Sequence, residues 1–245
     1  TTLSVSGTSN LGADVTTSST QTYTGAVTIS GGDRTLTGST VNFVDTVTGN
    51  TTHDLTITGN LDLDGELSDV VELSVSGTSD LGADVTTSSG QIYTGDVILL
   101  GGNRILTGST VIFVSTLAGA TNALIVIGNL DLDGAATGLS TLEVSGTSNL
   151  GANVTTSGTQ TYTGAVTLSG GDRTLTGSTV NFVSTLAGGT NALTVTGNLD
   201  LDGAATGLTT LSVSGTSNLG ANVTTSSTQT YTGAVTISTD GVTLT

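Results

Sequence analysis

Three stretches of this chain place oxygen ligands at the spacing of a calcium loop: Asn60-Leu-Asp-Leu-Asp-Gly65, Asn129–Gly134 and Asn198–Gly203. Positions 1, 3 and 5 offer side-chain oxygens, and position 6 is the glycine of a sharp turn. The twelfth position should bring a bidentate glutamate, yet it is Val71, Ser140 and Thr209. Leucines at positions 2 and 4 keep the alternation of a strand, which sets Asp62 and Asp64 on an outer face. The expectation is a solvated strand face. Calcium is the one metal whose pattern is half present, and no metal-ligating set is complete.

The other chemistry-bearing residues are sparse. The only cations are Arg34, Arg104 and Arg173, one per repeat, in Asp33-Arg34, Asn103-Arg104 and Asp172-Arg173. They suit a turn with a surface ion pair, contributing about 0–1 kcal/mol, or a contact between neighbouring fibres. Tyr23, Tyr93, Tyr162 and Tyr231 hold one repeat position. Their parity matches Val27 and Ile29, so buried packing is expected over a sugar-binding platform. His53 has no second histidine and no cysteine to work with, so it is expected to sit in an exposed turn and not in a zinc or nucleophile site. Asn50-Thr-Thr52, Asn153-Val-Thr155 and Asn222-Val-Thr224 match a glycosylation acceptor pattern that a threonine-rich chain produces by chance. The expected catalytic and cofactor-binding sets are both empty, and no enzyme is expected, because a repeat-regular chain offers no unique cluster of acid, base and nucleophile.

These residues are positioned by a tandem array. Leu3–Val15 returns as Leu73–Val85, Leu142–Val154 and Leu211–Val223, and the first step is one residue longer than the two that follow. The repeats run approximately over 3–72, 73–141, 142–210 and, partially, 211–245. An array packs each unit on its neighbours, so residues 1–245 read as a single continuous solenoid. The chain is expected to be a segment of something longer. The step from Phe43 to Phe113 is one residue longer than the step from Leu55 to Leu124. That puts the deletion near Thr48–Asp54, where a surface turn tolerates it.

Composition narrows the class. The net charge is −16, from 19 acidic and three basic residues. Nucleic acid needs clustered cations, and anionic membranes need them too; neither is an expected partner. No apolar run is long enough to span a bilayer, so no membrane insertion is expected in this segment. Hydrophobic residues reach 35% and alternate with Thr and Ser, which argues for order. The absence of proline suits a chain whose strands are nearly all central. The absence of cysteine excludes disulfides.

Within residues 3–72, Leu3 and Val5, then Leu11, Ala13 and Val15, alternate with polar neighbours. Tyr23, Val27 and Ile29 follow, then Leu36, Val41, Phe43, Leu55, Ile57, Leu61, Leu63 and Leu67, with a shift of parity after Leu36. Period-two alternation predicts strands and no helix. A smaller motif recurs: Ser4-Val-Ser-Gly7, Thr22-Tyr-Thr-Gly25, Thr35-Leu-Thr-Gly38 and Thr56-Ile-Thr-Gly59. Its glycine falls on the inward parity, as at a corner with no room for a side chain. Strands broken by corners predict an all-β parallel β-solenoid, with about three to four turns in each 69–70-residue repeat.

Asn-Leu-Gly-Ala-Asp-Val, Gln-Thr-Tyr-Thr-Gly-Ala-Val-Thr and Gly-Asn-Leu-Asp-Leu-Asp-Gly resemble the β-strand repeats of bacterial surface proteins, the filamentous-haemagglutinin-like and autotransporter-like adhesins. The resemblance runs over essentially the whole chain. It implies a right-handed β-helix exported to the bacterial cell surface. The expected role is a structural segment of an extracellular fibre or adhesin stalk, self-associating end to end into a filament. The alternative is an adhesin module that binds glycans, a host surface or a neighbouring cell. A variant of the alternative is ice binding, through Thr22/Thr24, Thr35/Thr37 and Thr56/Thr58. It requires those pairs to align in one flat rank, and their uneven spacing along the chain argues against it.

Overall fold

The computed structural model describes residues 1–245. It contains 32 strands and no helix. The chain divides into two compact units, Thr1–Asn122 and Ala123–Thr245.

In the first unit every strand pairs in parallel with the strand three sides further along the chain. One side stacks Leu3, Gln21, Val41, Leu61, Ser79, Val97 and Leu117. The next stacks Ser9, Val27, Val47, Leu67, Val85 and Leu106. The third stacks Val15, Leu36, Ile57, Val75, Tyr93 and Phe113. This is a three-sided parallel β-solenoid. Its turns differ in length: contacts between one turn and the next join Asn60 to Thr78, a separation of 18, and Asp14 to Thr35, a separation of 21.

The second unit repeats the arrangement. Its sides stack Leu124, Leu142, Gln160, Val180, Leu199 and Ser217; Leu130, Ser148, Val166, Leu186, Ala205 and Val223; and Ala136, Val154, Leu175, Val195, Val213 and Tyr231.

The alternation explains the burial. Inward residues such as Leu36, Ile57, Leu63 and Phe43 are fully buried, while their sequence neighbours face out. Burying an aliphatic side chain contributes about 1.5–3 kcal/mol, and each turn carries several. The parity shift after Leu36 is a corner. The strand Arg34–Phe43 bends near Gly38 and serves two sides, pairing Leu36 with Val15 before the bend and Val41 with Gln21 after it.

The motif glycines stack at corners as anticipated, but the obstruction is different. Gly59 has φ +135°, and a Cβ there would collide with the carbonyl oxygen of Gly38 one turn below. What leaves no room is the backbone of the adjacent turn, not the core.

One repeat does not hold a whole number of turns. Residues 3–72 contain nine strands, and two of them, Arg34–Phe43 and Leu55–Leu63, serve two sides each. That makes eleven sides, or three and two-thirds turns, within the expected three to four. Equivalent residues of successive repeats therefore lie on different sides. Leu73 stacks on Leu55 and under Gln91, away from the column that holds Leu3. In the second unit, Leu211 stacks on Leu193, away from the column of Leu142.

Candidate functional site

The half-loop Asn60–Gly65 lies where strand alternation put it. Leu61 and Leu63 point in and are buried, and Asp62 points out on a half-buried rung. The oxygen ligand of position 1 is already engaged. Asn60 Oδ1 accepts the Thr78 N–H of the next turn at 3.0 Å, and Asn129 and Asn198 do the same for Thr147 and Thr216 at 2.9 Å. Position 3 is engaged too: Asn42 donates to Asp62 at 2.7 Å, Asn149 to Asp131 at 2.8 Å and Asn218 to Asp200 at 2.9 Å. No three acidic or histidine side chains converge on a metal-sized point. The residues at positions 1 and 3 tie one turn to the next, while Asp64 at position 5 is exposed.

One rung of this ladder is unlike the others. Asp62 stacks between Asn42 and Asp80, whereas Asp200 stacks between Asn181 and Asn218. Partial burial pushes the Asp62 carboxyl above the usual carboxylate range, and the negative charges of Asp64 and Asp80 push the same way. The hydrogen bond from Asn42 acts in the opposite sense.

The arginines are not the surface ion pairs expected. The Arg34 side chain is 10% exposed, and its guanidinium curls over its own turn. Nε donates to the Leu11 carbonyl at 3.1 Å and to the Ser30 carbonyl at 3.0 Å, and Nη1 donates to the backbone carbonyl of Asp33 at 2.6 Å. Its ionic partner is Asp14 of the previous turn, at 3.9 Å, and not the carboxylate of Asp33. The turn it braces, Gly31-Gly32, has φ of +71° and +132°, which glycine adopts without strain. Arg104 repeats this with the Gly102 carbonyl at 3.2 Å and Asp84 at 3.6 Å, and Arg173 with the Ser169 carbonyl at 3.0 Å. A guanidinium engaged by local carbonyls is not free to meet a neighbouring fibre.

Tyr23, Tyr93 and Tyr162 are buried and so offer no sugar platform, while Tyr231 on the last turn is half-buried. Tyr23 stacks on Phe43 of the next turn and Tyr93 on Phe113, both at 5.4 Å, and Tyr162 stacks on Phe182 at 5.5 Å. Burial pushes the Tyr93 and Tyr162 hydroxyls far above their ordinary range. Sequence reading missed their partner, a glutamine. Gln91 is fully buried, accepts the Tyr93 hydroxyl at 3.0 Å, and donates to the carbonyls of Val85 at 3.2 Å and Thr107 at 2.9 Å. Gln21 and Gln160 make the same set. The signal was available: Gln-x-Tyr recurs on the inward parity in every repeat.

His53 is half-buried in its turn, with Nδ1 3.5 Å from Thr52 Oγ1. The acceptor asparagines Asn50, Asn153 and Asn222 are exposed. Asn153 and Asn222 each accept a backbone N–H of the next turn, from Thr174 at 2.9 Å and Thr243 at 2.8 Å. A depression of about 200 Å³ in the second unit is lined by Thr190, Gly207, Leu208, Thr224, Thr225 and Ser226 and holds no acid, base or histidine. Compared with family models, curated proteins and solved structures, the chain matches none.

Proposed function

We propose that this chain is a structural segment of an extracellular fibre or adhesin stalk of a bacterial cell surface. The observation that carries the reading is how the polar side chains are used. Four of the side chains that could ligate a metal, pair with an outside charge or stack on a sugar are Asn60, Asp62, Arg34 and Tyr23. All four are bonded or buried between turns. What remains is a ladder that repeats, with hydrogen bonds and a thin aliphatic core shared between neighbours. Such a coil supplies length and stiffness, and a backbone locked in ladders resists proteases.

The open edge of the last turn leaves Val235 at 41% and Ile237 at 48% exposure. An unpaired parallel edge is a template for another strand. More coil, or the first turn of a second copy, would cover it, and the second case joins copies end to end. The resemblance to filamentous-haemagglutinin-like repeats points to export and to the cell surface.

The reading is tested by electron microscopy of the purified chain across a concentration series. Narrow elongated particles that join into strings as concentration rises are expected. Compact globular particles at every concentration would overturn it.

A further inference from the structure

The requirement set by the sequence for an ice-binding face was that Thr-x-Thr pairs align in one rank. The fold meets it. Thr35 stacks on Thr56 and Thr37 on Thr58, and Thr56 in turn stacks on Ser74. The uneven spacing misled because Thr22/Thr24 belongs to another side, where Thr22 stacks on Asn42.

The second unit carries the longer rank. Thr174 stacks on Thr194 and Thr176 on Thr196. Thr194 then stacks on Ser212, and Ser212 on Thr230. Ser214 and Thr232 continue the second column, since their N–H groups donate to Val195 and Val213 at 3.0 Å. Four successive turns thus present two hydroxyls each and no charge. Rungs of a sheet stand about 4.8 Å apart, and residues i and i+2 on a strand about 6.7 Å apart. The result is a two-dimensional lattice of hydroxyl groups, with a methyl at each threonine. Threonine is stiff at χ1, so the lattice is preformed. Ser214 Oγ accepts the Gly197 N–H at 3.0 Å, while the threonines of the rank are half-buried to exposed and face outward.

The chemistry of the occupant follows from charge and period. The chain carries −16, and its arginines are engaged by nearby backbone carbonyls. Another copy lying side by side, or an acidic polymer, is repelled, and a basic one finds no carboxylate in the rank. The partner has to be neutral and periodic in two dimensions. We propose that the hydroxyl ranks of the two units bind ordered water at the surface of ice, each methyl seating beside a lattice oxygen and each hydroxyl replacing one. The proposal rests on the alternative role expected from the sequence, a binding module. It does not depend on the filament: imaging that found no strings would leave it standing.

The test uses the whole chain in an ice-recrystallisation and crystal-shaping assay. The unaltered protein is expected to facet single ice crystals and to keep grains small. Thr56→Lys combined with Thr194→Lys puts one charge in each rank and is expected to raise the concentration needed by about tenfold, as for an uncompensated charge pressed against a lattice. Thr167→Lys, on another side of the second unit, is the control and should change nothing; circular dichroism of both variants checks the fold. Loss of activity in Thr167→Lys equal to that of the double variant would overturn the assignment. So would an unaltered protein that leaves ice unshaped, including one that instead sediments with an insoluble neutral polysaccharide such as cellulose.

Discussion

At the scale of single residues, the polar side chains of this protein serve the gap between turns. A corner asparagine such as Asn60 reaches up to the exposed Thr78 amide of the next turn and ties the two turns together. The Asp62–Asp80 rung is the exception, with two carboxylates one strand apart. Because the folded Asp62 group is raised, its ionised form is disfavoured by the fold. Stability is therefore gained as pH falls through the folded pKa and is lowest above it. Asp80→Asn restores the Asp–Asn pairing seen at Asp131 and Asn149. It is expected to lower the Asp62 pKa towards its ordinary value in an NMR titration, and to raise the melting temperature at pH 7 more than at pH 3. Burial and Asp64 also raise Asp62 and are untouched by the substitution, so an unchanged midpoint would count against the contribution of Asp80 alone.

The buried glutamine gives a second test at this scale. Gln91→Ala strands the Tyr93 hydroxyl and takes the side-chain donor from the carbonyls of Val85 and Thr107, the second of which keeps the Thr87 hydroxyl at 3.4 Å. Each buried orphan costs about 1–3 kcal/mol. Tyr93→Phe leaves only one glutamine oxygen unpaired. Chemical denaturation should rank Gln91→Ala well below Tyr93→Phe in stability.

At the scale of elements, the corners decide the coil. The motif Ser/Thr-apolar-Ser/Thr-Gly looks alike wherever it occurs, but its glycines do not stand in like places. Gly59 has a left-handed φ and the Gly38 carbonyl against it, while Gly7 has nothing within 4 Å of where its Cβ would be. Gly59→Ala is expected to destabilise the first unit by about 1–3 kcal/mol, and Gly7→Ala to lie within about 0.5 kcal/mol of the parent. Urea unfolding of the two variants measures the contrast; equal effects would refute the account of the corner. The turn after Val47–Thr48 is the other irregular element. It holds Thr51 at φ +66°, as the matching turns hold Thr121 at +72° and Thr190 at +68°. A β-branched residue there is strained. The extra residue of the first repeat falls in this turn, as expected from its exposure.

At the scale of the molecule, charge and phase act together. Within each unit, eleven sides per repeat on a three-sided coil carry a repeat position round to another side, as Leu73 departs from the column of Leu3 and Leu211 from that of Leu142. The acidic residues repel other copies. Protonating them is expected to favour bundling, and light scattering should rise between pH 7 and pH 4; a flat trace would contradict it.

Strands, corners and the inward set were all legible in the order of the residues. Alternation, the recurrent glycine and the lack of proline are local signals, and hydrogen bonding in a ladder follows from them. The length change was legible too, because Phe43 and Leu55 bracket one turn. Which side a residue joins was not. That depends on the length of each turn, which varies with how its corner packs on the one below. For the same reason Thr35 and Thr56 could be read as a pair of motifs but not as neighbours, and Arg34 as a charge but not as a brace over Gly31-Gly32. Stacking of one turn on another is a long-range contact, and it turned a list of spaced residues into ranks.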